Sequence, residues 1–166
     1  MKARTAFVMV VVLSSVLAST RAFAASDAQK SFEQLRGLSG SWEGKTSSGQ
    51  PVEVDYRSTS MGSALMSEIK NVKEDMITMF NLDGNRLLLT HYCAAVNQPR
   101  MLATASADGK TITFDFLDAT NLSSPDAAHM AHVVISILDT NHHTEEWTFA
   151  DHGKEMKEVF DLWRKK

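Results

Sequence analysis

Apolar and polar residues alternate with a period of two through much of the chain. Val52, Val54 and Tyr56 alternate with Glu53, Asp55 and Arg57; Ile112, Phe114 and Phe116 alternate with Thr111, Thr113 and Asp115; Trp147 and Phe149 alternate with Glu146, Thr148 and Ala150. Successive side chains of a strand point to opposite faces, so each run predicts a half-buried strand. Turn residues separate the runs. Leu82-Asp83-Gly84-Asn85 joins a strand near 75–81 to one near 86–94, and Ala107-Asp108-Gly109-Lys110 joins 100–106 to 111–117. In both, Asp-Gly supplies the positive φ that tight hairpins need. Thr140-Asn141 divides 129–139 from 143–150, and Asp151-His152-Gly153 divides that strand from 154–164.

The pattern yields about ten strands between Leu38 and Arg164. Ten sequential antiparallel strands leave two unpaired edges, and closing the sheet on itself removes both. The expected fold is therefore all-β: an antiparallel meander of about ten strands closed into one barrel domain over 38–166, with an open sandwich as the alternative. One short helix is expected at 25–37, where Ser26 or Asp27 can cap, Phe32 and Leu35 share a face, and Gly37 ends the run. Asp118 to Ala128 is long and polar, and Ser124-Pro125 suits the start of a helical turn.

The first residues follow another pattern. Met1-Lys2-Ala3-Arg4 is basic, Ala6 to Ala18 is apolar apart from two serines, and Ala22-Phe23-Ala24 places small residues where a signal peptidase reads. This reads as a cleaved secretory signal over 1–24. As a helix the apolar run would span roughly 20 Å, short of the ~30 Å hydrocarbon core. No cysteine lies near the cut, so no lipid anchor is expected; the mature chain should be exported, periplasmic or secreted, without a stable membrane attachment. Cleavage would remove Lys2, Arg4 and Arg21 and no acid, taking the net charge from −3 to −6. An acidic domain of this kind cannot neutralise phosphates, which argues against nucleic acid or an anionic membrane as partner. Cys93 is the only cysteine, so no internal disulfide can form and the core must hold the fold unaided.

Leu38-Ser39-Gly40-Ser41-Trp42-Glu43-Gly44 stands where the short helix gives way to the first strand, and Phe160, Leu162 and Arg164 alternate in the last. A Gly-x-Trp at the start and an arginine in the final strand resemble the calycin signature of lipocalins and fatty-acid-binding proteins. The whole mature chain resembles a family of small, uncharacterised bacterial exported proteins with lipocalin-like barrels, in which Leu89-Thr90-His91-Tyr92-Cys93 and Asn97-Gln98-Pro99-Arg100-Met101 are the more distinctive stretches. The resemblance implies that Arg164 packs across Trp42 and closes one barrel end. It implies a fold and no activity.

Barrels of this size can enclose one small ligand. Tyr56, Phe80, Phe114, Phe116, Trp147 and Phe160 are candidates for an aromatic lining, and equally for ordinary core. In a strand His91 and Cys93 share one face and Tyr92 takes the other, so His91 and Tyr92 cannot both point inward; the pattern does not choose between them. An inward His91 or Tyr92 beside Arg100, with Asn97 and Gln98 in the same connection, would hold a carboxylate or another polar head group. The other histidines are His129, His132, His142, His143 and His152. His142 or His143 could approach His152 at one barrel end, yet no four-ligand metal spacing is present and solvated loop histidines are the simpler expectation. Some small calycin-like barrels bind haem through one histidine; here residues 154–164 contain none, leaving His91 or His132 as possible axial ligands. No nucleophile elbow or phosphate loop is present; Glu68, Glu145 or Glu146 could act as a base with His91 or His132, but nothing in the spacing requires it, they read by default as charged residues of a solvated face, and no catalytic residue or cofactor is assigned.

The leading expectation is an exported barrel binding a small, partly apolar molecule, lined by Tyr56, Phe114, Phe116 and Trp147, with His91, Tyr92 and Arg100 as polar contacts. One alternative is a structural or protein-interaction barrel with a filled core and an apolar patch around Val159 and Trp163. The other is haem or metal binding through His91 or His132. The oligomeric state is not legible.

Overall fold

The computed structural model describes residues 27–71 and 75–166; the signal expected over 1–24 lies outside them. Helix α1 (Asp27–Arg36) leads into β1 (Gly40–Thr46), β2 (Pro51–Thr59), β3 (Ala64–Asn71), β4 (Asp75–Asp83), β5 (Arg86–Tyr92), β6 (Gln98–Ala105), β7 (Thr111–Thr120), β8 (His129–Asp139), β9 (His142–Asp151) and β10 (Lys154–Arg164). Each strand pairs antiparallel with its sequence neighbours, and β10 returns to β1. The meander is a closed barrel, and each of the ten described strands has a neighbour on both sides.

The two ends differ. At one, α1 packs on β2, β4, β5 and β6, burying Phe32 and Leu35. Gly37 N–H meets the carbonyls of Glu33 and Gln34, and the chain then turns into β1. Trp42 points inward there, fully buried, with its indole N–H donating to the Leu38 carbonyl at 2.7 Å. Arg164, its register partner across β1 and β10, holds its guanidinium 4.3 Å above the indole ring. The same guanidinium donates to the carbonyls of Ser39, Thr140 and Gly37 at 2.8, 3.0 and 3.1 Å. One side chain thus ties the helix exit, the first strand and the β8–β9 turn to an aromatic plug. Below it Leu65, Phe80, Leu87, Leu89, Met101, Ile112, Phe114 and Ile135 fill the barrel.

The close approach of β1 to β10 depends on Gly44. A Cβ there would lie 1.8 Å from the Asp161 carbonyl oxygen. The obstacle is backbone, so the strands would have to separate. Gly44→Ala is expected to cost about 3 kcal/mol or more, read as a lowered thermal midpoint; an unchanged midpoint would show that β10 yields freely.

At the other end lie the β1–β2, β5–β6, β7–β8 and β9–β10 connections. Residues 118–120, expected in a polar loop, belong to β7, whose register slips by one residue opposite Arg100 and Met101. In place of a helical turn that continues, 121–128 makes a single turn in which Ala127 N–H bonds to the Ser124 carbonyl.

Candidate functional site

Midway along the interior the apolar filling stops. Tyr56, Ser67, Thr78 and His91 are register partners in sequence across β2, β3, β4 and β5, and all four are buried. Because directly paired residues share a face, they form a polar row across the inner wall. From the opposite wall β9 contributes His143, Glu145 and Trp147, each two residues from the next and so on one face. Glu145 is 0% exposed and receives three hydrogen bonds: Tyr56 Oη–H at 2.6 Å, Trp147 Nε1–H at 2.9 Å and His143 Nε2–H at 3.2 Å. A carboxylate buried without such donors would cost several kcal/mol (about that order). His143 meets the Trp42 plug edge-on at 4.2 Å, which connects the polar layer to the closed end. Burial first, and then the charge of Glu145, raise the Tyr56 phenol well above its ordinary pKa, so it stays a donor.

His91 is also 0% exposed. Its Nδ1 shares a hydrogen bond with Thr78 Oγ1 at 2.9 Å, while its buried Nε2 has no partner. Its ring lies 5.0 Å from that of Trp147. Burial pushes the imidazole down to about 4, against the pull of Glu145, so it is neutral at pH 7.

Above this layer the barrel is hollow. A cavity of about 750 Å³ has His91 and Trp147 in its wall, with Ile69, Met76, Met130, Phe149 and Phe160 as apolar surface. Thr46, Ser48, Gln50, Lys157 and Glu158 line it toward the β1–β2 and β9–β10 hairpins, its polar rim. Lys157 Nζ donates to Glu146 at 2.7 Å, and Glu158 accepts Ser48 N–H at 2.9 Å; that backbone donor is the main reason the Glu158 carboxyl sits below its usual range.

The structure sorts the residues expected from sequence. His91 faces inward; Tyr92 is 50% exposed on the outer wall opposite Ile77. Arg100 stands on the outer wall as well, paired with Asp118, so it is not beside His91. The cluster of His91 or Tyr92 with Arg100 around a carboxylate is therefore not formed. Asn97 and Gln98 are bound into the rim instead, to the Ala128 carbonyl and to Thr120. Trp147 is in the cavity wall, but Tyr56 belongs to the polar layer and Phe114 packs on Phe80 in the core beneath it, 5.6 Å between rings. Phe116, opposite Met101 in register, lies at the rim against His129, 38% exposed.

Two histidine expectations change. His132 faces outward and bonds to Asp115 at 2.9 Å, so it cannot reach a ligand in the cavity. His142 and His152 lie in successive turns of a meander, hence at opposite ends, and His143 is buried rather than solvated. Among the described residues no group of three or more His, Cys, Asp or Glu side chains is placed to hold a metal ion. Glu145, read from sequence as a solvated charge, is the hub of the interior. Its signal was its place two residues before inward Trp147.

No protein-family model and no curated protein matches the sequence. Among solved structures the chain is similar to the crystal structure of Rv2717c from M. tuberculosis, at 17% identity and a TM-score of 0.54, over 82% of this chain and 98% of that one. At that identity the likeness concerns architecture, and it agrees with a ten-stranded closed barrel.

Proposed function

We propose that this protein is an exported, lipocalin-like barrel that binds one small, partly apolar molecule in the cavity above His91. The observation that carries the reading is the cavity itself: about 750 Å³ of space, within the range of small-molecule sites, in a chain whose lower barrel is tightly filled. Its walls are apolar and flexible, with three methionines (Met76, Met130 and Met156) among them, and it offers one buried polar atom without a partner. A structural barrel with a filled core has less support, since the upper interior is open. Its expected patch consists of Trp163 stacked on His142 at 3.8 Å, with Val159 only half-buried. Native mass spectrometry of protein purified from its own host should show a bound species of a few hundred daltons (about that order for a pocket of this class) that organic extraction removes. Apoprotein mass alone, in gently handled samples, would count against the reading.

A second reading rests on the same histidine. A neutral imidazole with a free Nε2 in an apolar cavity suits an axial ligand to haem iron. His91 would supply that nitrogen, Thr78 would fix the ring through Nδ1, and bound haem would bring redox and gas-binding chemistry. Haemin titration should then give a Soret band that His91→Phe abolishes; no band in the wild type removes haem and leaves the small-molecule reading standing.

A further inference from the structure

The charge distribution inside the barrel narrows the ligand, granted the cavity reading proposed above. Among the described buried residues Glu145 is the only Asp, Glu, Lys or Arg side chain, and its two oxygens already accept three hydrogen bonds. Among the described residues no Lys or Arg side chain is buried at this depth. Arg164 is committed to three carbonyls at the closed end, Arg100 is outside with Asp118, and Lys157 is at the rim, engaged by Glu146. A ligand carboxylate pushed down to the polar layer would thus meet a like charge and a neutral imidazole, with nothing to offset its desolvation. Ser67 Oγ, His91 Nε2 and His143 Nδ1 are all without a partner in this layer, and of the three residues only His91 lines the cavity. Thr78 Oγ1 can donate to Nδ1 or accept from it, so Nε2 is a donor in one tautomer and an acceptor in the other. A hydroxyl group can answer either; a carboxylate can answer only one.

We infer that the cavity takes an apolar molecule ending in a neutral hydroxyl, seated head-first on His91 Nε2, and discriminates against the carboxylate of the same length. This differs from the expectation that an inward His91 or Tyr92 beside Arg100 would hold a carboxylate, because Arg100 lies outside. The specificity comes from which groups the strand register turns outward: Arg100 lies on the Thr90 face of the sheet, one residue from inward Met101.

The test pairs two probes of equal chain length, 1-decanol and decanoate, by titration calorimetry at pH 7 on the mature chain. Wild type should bind decanol at least about tenfold more tightly. In His91→Phe, with folding verified by near-UV circular dichroism, the decanol affinity should fall about tenfold while that of decanoate is unchanged, erasing the preference. Thr78→Val, which frees Nδ1 but keeps Nε2, should retain it. Decanoate binding as tightly as decanol to wild type overturns the inference without any variant, as does a preference that survives His91→Phe. If neither probe binds, the inference fails; binding of neutral Nile red in that case leaves the cavity reading intact, and its absence removes that as well.

Discussion

Replacing Glu145 by alanine should destabilise the barrel by about 3–5 kcal/mol, the cost of breaking a buried polar cluster by removing its acceptor. Tyr56, His143 and Trp147 all direct a donor at this carboxylate, and all are buried. Without it a phenol O–H, an imidazole N–H and an indole N–H lose their shared partner at buried positions. The contrast with glutamine separates shape from charge. Glu145→Gln keeps one acceptor oxygen and replaces the other by an amide N–H₂, from which the Tyr56 hydroxyl and His143 Nε2 can accept but the donor-only Trp147 indole cannot, so its loss should be intermediate. Urea denaturation at pH 7 reads both. A loss under about 1 kcal/mol for the alanine variant would mean that water replaces the carboxylate without penalty, and that the polar cluster does not help to hold the barrel together.

The second large effect is on acid stability. In the unfolded chain an imidazole takes up its proton near 6.5, whereas His91 in the barrel resists protonation down to about 4. Between those values the unfolded state binds the proton and the native state does not, so stability falls as pH drops through that window. Below about 4 the native ring is protonated as well and His91 adds no further slope. The difference from 6.5 to about 4 corresponds to about 3 kcal/mol. Asp55, Asp108, Asp118, Asp126 and Glu158 also titrate below their usual range, and their loss on acidification is common to wild type and His91→Phe. The comparison isolates His91: from pH 6.5 to 4 the wild type should lose about 3 kcal/mol more than the variant. Parallel curves would show that the imidazole is hydrated or moves on protonation.

Much of this architecture was readable in the chain because a period of two is a direct consequence of strand geometry. The Asp-Gly pairs at 83–84 and 108–109 mark their hairpins, and Gly84 and Gly109 take the positive φ those turns require. The closure was less direct. Alternation defines an inner face for each strand but not which strands meet, and only the β1–β10 register brings Arg164 over Trp42. The interior chemistry was the least legible. Around His91, Leu87, Leu88 and Leu89 are all apolar, so alternation could not say which parity faces in; pairing with Thr78 and Phe80 decides it. The slip in β7 carries Asp118 back to the outer wall opposite Arg100, which no local pattern announces. Glu145 and His143 were legible in principle, two and four residues before Trp147. A charged side chain in an alternating strand reads as solvated unless its buried partners, here Tyr56 on a distant strand, are known.

The central claim is that the hollow above His91 is a ligand site and not merely incomplete packing. It is tested most directly by filling it. Met76, in the wall at the start of β4, is flexible and only partly buried, so Met76→Trp can place an indole in the cavity with little strain elsewhere. Fluorescence titration with neutral Nile red should give a saturable one-to-one isotherm for wild type. Met76→Trp, folded and melting within a few degrees of wild type, should weaken it at least about tenfold. Equal binding to both proteins, or non-saturable binding to wild type, would place the dye on the outer surface and contradict the account.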